Sequence, residues 1–172
     1  MPLTITPAPR GLDGVVATHT RLSHVDGIAG ELIIAGYELK ELAGRVSFEE
    51  AAHLLWHGAL PGSDELRELH REIAALRALP EDTVRVVRAA GKAPPIDALR
   101  MACATLSLDL PDPDDISPSA DIEAAKMLTA RFPTLVAAHA RSSEGKELIA
   151  PRAESTRFAT RAPTCSTRWR TR

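Results

Sequence analysis

The sequence predicts a mainly α-helical fold with a small antiparallel β-hairpin near its amino terminus, and three observations carry that prediction. Apolar residues recur at spacings of three and four through most of the chain after residue 47, the period of a half-buried helix. Helix-start and helix-stop residues bracket those stretches. Hydrophobic residues make up 44% of the chain and aromatics only 3%, so its core must be built from Ala, Leu, Val and Ile, which suits packed helices. A chain of 172 residues is long enough for one domain with a sizeable core.

Residues 14–19 and 31–37 are short β-prone runs, and Asp26-Gly27 between them is a turn signal, which predicts a hairpin with a long connection. Ser47-Phe48-Glu49-Glu50 is a capping box that opens a helix over 48–57, with Gly58 as its stop. Ser63 is the expected cap of the next helix, where Leu66, Leu69, Ile73 and Leu76 form one stripe, and Pro80 ends it. A short helix over 83–90 stops at Gly91. Pro94-Pro95 opens another over 96–108, with Ile96, Leu99, Cys103 and Leu106 on one side. Residues 110–119 hold three prolines and three aspartates and read as a loop. A last helix is expected over 121–141, burying Ile122, Ala125, Leu128, Phe132, Leu135, Val136 and His139, with Pro133 kinking or breaking it. The sum is a two-stranded ribbon followed by five or six amphipathic helices.

Composition divides the chain at residue 150. Residues 1–150 carry 15 Lys and Arg against 22 Asp and Glu, a net charge of −7. Residues 151–172 carry six Arg against Glu154 alone, contain no Leu, Ile or Val, and are expected to be disordered. Written with GC-rich codons, Thr164–Arg170 can be encoded so that the next frame reads Leu-Leu-Asp-Ala-Val-Ala, a helix fragment. A frame shift near Pro151 is therefore the expected origin of this tail. The near-neutral total of −2 predicts no nucleic-acid partner, and no apolar run reaches membrane-spanning length. Met1–Pro9 has no signal-peptide pattern, so a cytoplasmic location is expected. Cys103 and Cys165 make neither a disulfide framework nor a metal knuckle.

Four stretches together resemble the amino-terminal portion of the citrate synthase family: Gly11–Ala17, Val25-Asp26-Gly27, Gly36-Tyr37 and Phe48–Pro61. Pro95–Arg100 and Phe132–Ala138 echo the family more weakly, and the resemblance covers roughly residues 10–150. Relatives often carry Arg where Ala35 stands and an acidic residue where His24 stands. The resemblance implies part of a large helical domain. It implies an acyltransferase of the tricarboxylic acid cycle, condensing acetyl-CoA with oxaloacetate, or propionyl-CoA in 2-methylcitrate synthases. It implies a homodimer at full length, no tightly bound cofactor, and acetyl-CoA as co-substrate.

In that family two His polarise carbonyls, an Asp removes a proton and arginines hold the acceptor's carboxylates. None of those motifs is found here, so no catalytic, cofactor-binding or metal-binding residue is assigned, and the chain is expected to be inactive alone. His53 and His57 have the spacing of two metal ligands on one helix face, but Leu54 replaces the Glu of the zincin pattern. They are expected to be structural, as is a packed and hydrogen-bonded His139. His19 and His24 are expected to be exposed. Glu50 is expected to cap and Glu49 to suit the first helical turn. Trp56 is expected to anchor the core, and Gly91-Lys92 lacks the frame of a phosphate loop. The rival reading is a non-catalytic helical interaction module. A third is a fragment complemented by a separately encoded remainder.

Overall fold

The computed structural model describes residues 11, 16 and 18–152. Three short antiparallel strands, β1 (Ser23–Asp26), β2 (Glu31–Ile34) and β3 (Tyr37–Glu38), lead into six α-helices. These are α1 (Leu39–Leu42), α2 (Phe48–His57), α3 (Ser63–Leu76), α4 (Glu81–Ala89), α5 (Pro95–Ala104) and α6 (Pro118–Ser143). A 3₁₀ turn over Thr105–Asp109 follows α5.

The ribbon forms, but not from the strand expected at 14–19. Residues 16, 18 and 19 lie outside any strand, and residues 14, 15 and 17 of that run fall outside the described residues. Instead β1 pairs with β2 across a tight turn, Asp26 opposite Glu31. Asp26 begins that turn chemically: its Oδ1 accepts the N–H groups of Ile28 and Ala29, both at 2.9 Å. A second, two-residue turn at Ala35-Gly36 brings β3 back onto β2. Both of its residues have positive φ, +45° and +91°, as a type I′ hairpin turn requires.

The capping box at Ser47 is present as expected. Glu50 N–H donates to Ser47 Oγ at 3.2 Å and Ser47 N–H donates to Glu50 Oε2 at 2.6 Å. Gly58 closes α2 in the left-handed region at φ +79°. The cap of α3 differs from expectation: Gly62, not Ser63, is its N-cap, and Glu65 Oε2 accepts the Gly62 N–H at 2.7 Å. The helix expected over 96–108 splits into α5 and the 3₁₀ turn. There Thr105 Oγ1 donates to Ala102 O at 2.7 Å, so the fully buried Thr83 hydroxyl, 2.8 Å away, donates to Thr105 Oγ1.

Helix α6 is the spine against which α3, α4 and α5 pack. Its Met127, Leu135 and Ala138 join Val87, Ala102 and Leu106 in one core cluster. Its Ala130 joins Leu69 and Ile73 in a second, flanked by Trp56 and Leu76 as the sequence predicts for those residues. Of the kink or break expected at Pro133, the break does not occur, and the helix is continuous through it. Pro133 lies on the outer side, where the Thr129 carbonyl it deprives of a partner can turn outward, and core contacts on both sides hold the helix together. The expected buried stripe is also rotated: Leu128, Phe132 and Val136 face outward, while Lys126, Met127, Ala130 and Arg131 are buried. Ile96 on α5 is likewise exposed, and Ala98 and Ala102 take its place inside.

Candidate functional site

The polar residues singled out by the sequence fall in separate places. His53 and His57 stand together on α2, ring centroids 4.4 Å apart and tilted by 41°. His53 Nδ1 lies 2.9 Å from the Ala59 carbonyl oxygen, which can only accept, so that nitrogen carries the proton. His57 is exposed on the last turn of α2, and the partial desolvation it undergoes there, then His53, then Lys126 lower its pKa from its ordinary value. A neighbouring lysine is a poor setting for a cation, and two imidazoles are too few ligands. Among the described residues no group of three or more His, Cys, Asp or Glu could hold a metal ion.

Glu49 stands in the first turn of α2 as expected. It is buried, with Oε1 4.0 Å from His70 Nε2, and this pair joins α2 to α3. His19 and His24 are exposed, and Cys103 is a half-buried free thiol against the first core cluster. Cys165 lies outside the described residues. His139 is buried as expected, at 8% exposure, but its Nε2 has no hydrogen-bond partner.

Two buried cations on α6 escaped the sequence reading. Lys126 Nζ bridges Glu72 on α3 at 2.9 Å and Glu123 on its own helix at 3.0 Å. These carboxylates raise the pKa of Lys126, outweighing the burial that lowers it. Arg131 reaches Asp109 at the end of the 3₁₀ turn and also donates from Nε to Leu76 O at 3.2 Å. Their signal was available: a charge placed every few residues on an otherwise apolar helix needs acidic partners on its neighbours.

The outer side of α6 is what remains open. Leu128, Phe132 and Val136 are 40%, 43% and 49% exposed, and two clefts open along them. One cleft, of about 810 Å³, lies between α6 and the α4–α5 connection, with Ile96, Leu99, Val136 and His139 in its walls and Lys92 at its edge. The other lies beside Phe48, Cys103, Leu128 and Phe132. Both are apolar grooves. No nucleophile–base pair or phosphate cradle lines either one.

Comparison with known proteins places this architecture. The family description "Citrate synthase, C-terminal domain" matches residues 11–166. The chain belongs to the citrate synthase family. The match continues past residue 150 into the Arg-rich segment. The citrate synthase of Haloferax volcanii is 38% identical over 147 residues, covering 83% of this chain and 39% of that protein. The citrate/2-methylcitrate synthase of Bacillus subtilis is 38% identical over 142 residues, covering 82% and 38%. The solved citrate synthase of Pyrobaculum aerophilum superposes with a TM-score of 0.73 at 32% identity, over 83% of this chain and 38% of that one. That of Thermotoga maritima gives 0.70 at 35%, over 84% and 37%. The chain thus spans about two fifths of the length of these citrate synthase relatives, 39% of the Haloferax protein.

Proposed function

We propose that the whole protein is a citrate synthase-type acyltransferase acting on oxaloacetate and acetyl-CoA, homodimeric and cytoplasmic, and that this chain supplies part of its helical scaffold and none of its catalytic residues. The observation that carries the reading is 38% identity over 147 residues to a protein named citrate synthase, on a fold shared with two solved citrate synthases. Relatives named 2-methylcitrate synthase stand at 31% and 34% identity, which keeps propionyl-CoA as the alternative acyl donor.

The scaffold assignment rests on the chemistry of the described side chains. Proton abstraction from a thioester's α-carbon needs a carboxylate base beside a group that stabilises the developing enolate oxygen. A dicarboxylate acceptor needs open guanidinium forks. Here Arg131 is committed to Asp109 and Leu76, His53 to Ala59, and Glu49 faces His70. The outer face of α6 gives specific support to an interaction role for the scaffold.

The test is CoA release from acetyl-CoA and oxaloacetate. The 172-residue chain alone should release none above background, and should do so when combined with the portion of a citrate synthase relative that it does not match. Turnover by the chain alone would overturn the scaffold assignment. No turnover by a folded mixture with any acyl-CoA would overturn the acyltransferase reading.

A further inference from the structure

Where α2 meets α3, a carboxylate is buried against an imidazole. Glu49, in the first turn of α2, is 3% exposed. The His70 side chain on α3 keeps 13% of its exposure, and its Nε2 lies 4.0 Å from Glu49 Oε1. That nitrogen is buried and has no hydrogen-bond partner. A gap of 4.0 Å is too long for a hydrogen bond but well inside the range of charge attraction. The two groups face each other without a bond.

A proton on the ring changes that. Neutral imidazole offers the carboxylate no counter-charge. With a second proton both ring nitrogens donate and the ring is a cation. The attraction then draws Nε2–H onto Oε1 and closes the gap to a charge-assisted hydrogen bond of about 2.8 Å. Glu50, next along α2, has its pKa lowered first by its hydrogen bonds with Ser47 and also by His70, so the imidazole feels both carboxylates.

The other charges on the elements packed here are engaged elsewhere. On α3, Arg67 pairs with Asp64 and Arg71 with Glu68. On α6, which packs on α3, Lys126 pairs with Glu72 and Glu123. His53, one turn along α2 from Glu49, has its Nδ1 proton on the Ala59 carbonyl. A lysine or arginine at position 70 would hold Glu49 at every pH, whereas a histidine does so only when charged. We infer that Glu49 and His70 form a proton-operated clasp, which draws α2 onto α3 as the pH falls. An unfolded imidazole titrates near about 6.5, so the contribution of the clasp is full below that value and fades as pH rises above it. The device assumes nothing about catalysis.

The test is a double-mutant cycle on the 172-residue chain. Urea unfolding is followed for the unchanged chain, Glu49→Gln, His70→Gln and the double variant, at about pH 8 and about pH 5.5, either side of the histidine range. The coupling between the two positions should be about tenfold in the folding equilibrium at the lower pH and within about twofold of none at the higher. His70→Lys, a cation at both pH values, should keep the coupling and lose its dependence on pH. Where a variant does not fold, the unchanged chain still answers. Nitrogen-edited NMR of the His70 ring should show an Nε2–H in slow exchange with water at the lower pH and none at the higher. Coupling that is equal at both pH values, or larger at the higher, overturns the inference. So does a His70→Lys coupling that still varies with pH, or an Nε2–H in fast exchange at the lower pH.

Discussion

Arg131 and Asp109 form an ion pair, Nη2 to Oδ2 at 2.5 Å, that fastens the middle of α6 to the end of the 3₁₀ turn. The arginine is almost wholly buried, while the aspartate keeps 45% of its side-chain exposure. That asymmetry decides which substitution matters. Arg131→Met removes the buried charge together with its bond to Leu76 O, and the aspartate left behind is still solvated. The expected loss is about 2 kcal/mol, the scale of a charge-assisted hydrogen bond in a partly wet setting. Asp109→Ala leaves the guanidinium buried with only the Leu76 carbonyl, so its cost should be equal or larger. Urea unfolding midpoints of the two variants give the ranking. A smaller loss for Asp109→Ala would show that water already solvates Arg131.

His57 makes stability depend on pH. It lies in the last turn of α2, where the helix dipole favours the charged form, yet partial desolvation, His53 and Lys126 together lower its pKa below the ordinary 6.5. A folded-state pKa below the unfolded one means that the unfolded chain binds the proton more readily. The resulting stability is present above pH 6.5 and lost as pH falls through the folded value. His57→Gln should flatten the fall in stability that sets in below the ordinary histidine value of 6.5, relative to the unchanged chain. A slope left intact by this substitution would assign it to another histidine.

Ala35 occupies a turn position built for glycine. Its φ of +45° sits in the left-handed region, where a Cβ crowds the following carbonyl. Ala35→Gly relieves that crowding but gives the unfolded chain more freedom. Asn tolerates the conformation without that entropic cost, so Ala35→Asn should stabilise by about 0.5 kcal/mol and Ala35→Gly by less. Thermal melts of both variants check the order.

Local signals were legible because they act within a few residues. Ser47 and Glu50 cap each other across one turn, Gly58 stops the same helix, and Asp26 folds the chain back on itself. The first strand was misplaced because Val15 and Val16 satisfy β propensity as well as Val25 does, and only pairing with Leu32 decides between them. The orientation of α6 was misread for a related reason. With apolar residues on both sides, its periodicity does not say which side is inner. The choice rests on partners far along the chain, Glu72 for Lys126 and Asp109 for Arg131. The same ambiguity hid the outer side: Leu128, Phe132 and Val136 read as core because their spacing alone does not say which face of α6 is buried.

Gly91 was read as a helix stop, and the structure gives it a different duty. Its φ is not in the left-handed region, but a Cβ placed there would lie 2.7 Å from Ser142 Oγ and 3.3 Å from the carbonyl oxygens of Arg88 and Ser142. The missing side chain is what lets the end of α4 meet the end of α6, where Ser142 Oγ also approaches Val87 O at 3.5 Å. Gly91→Ala should therefore destabilise by about 1–2 kcal/mol, the usual cost of overpacking a tight contact. The Ser142 hydroxyl can rotate away, but the two carbonyls belong to backbone. Adding Ser142→Ala should consequently recover only part of the loss. Full recovery in the double variant would show that the hydroxyl alone sets the approach. No loss in Gly91→Ala would show that α4 and α6 are not held this close.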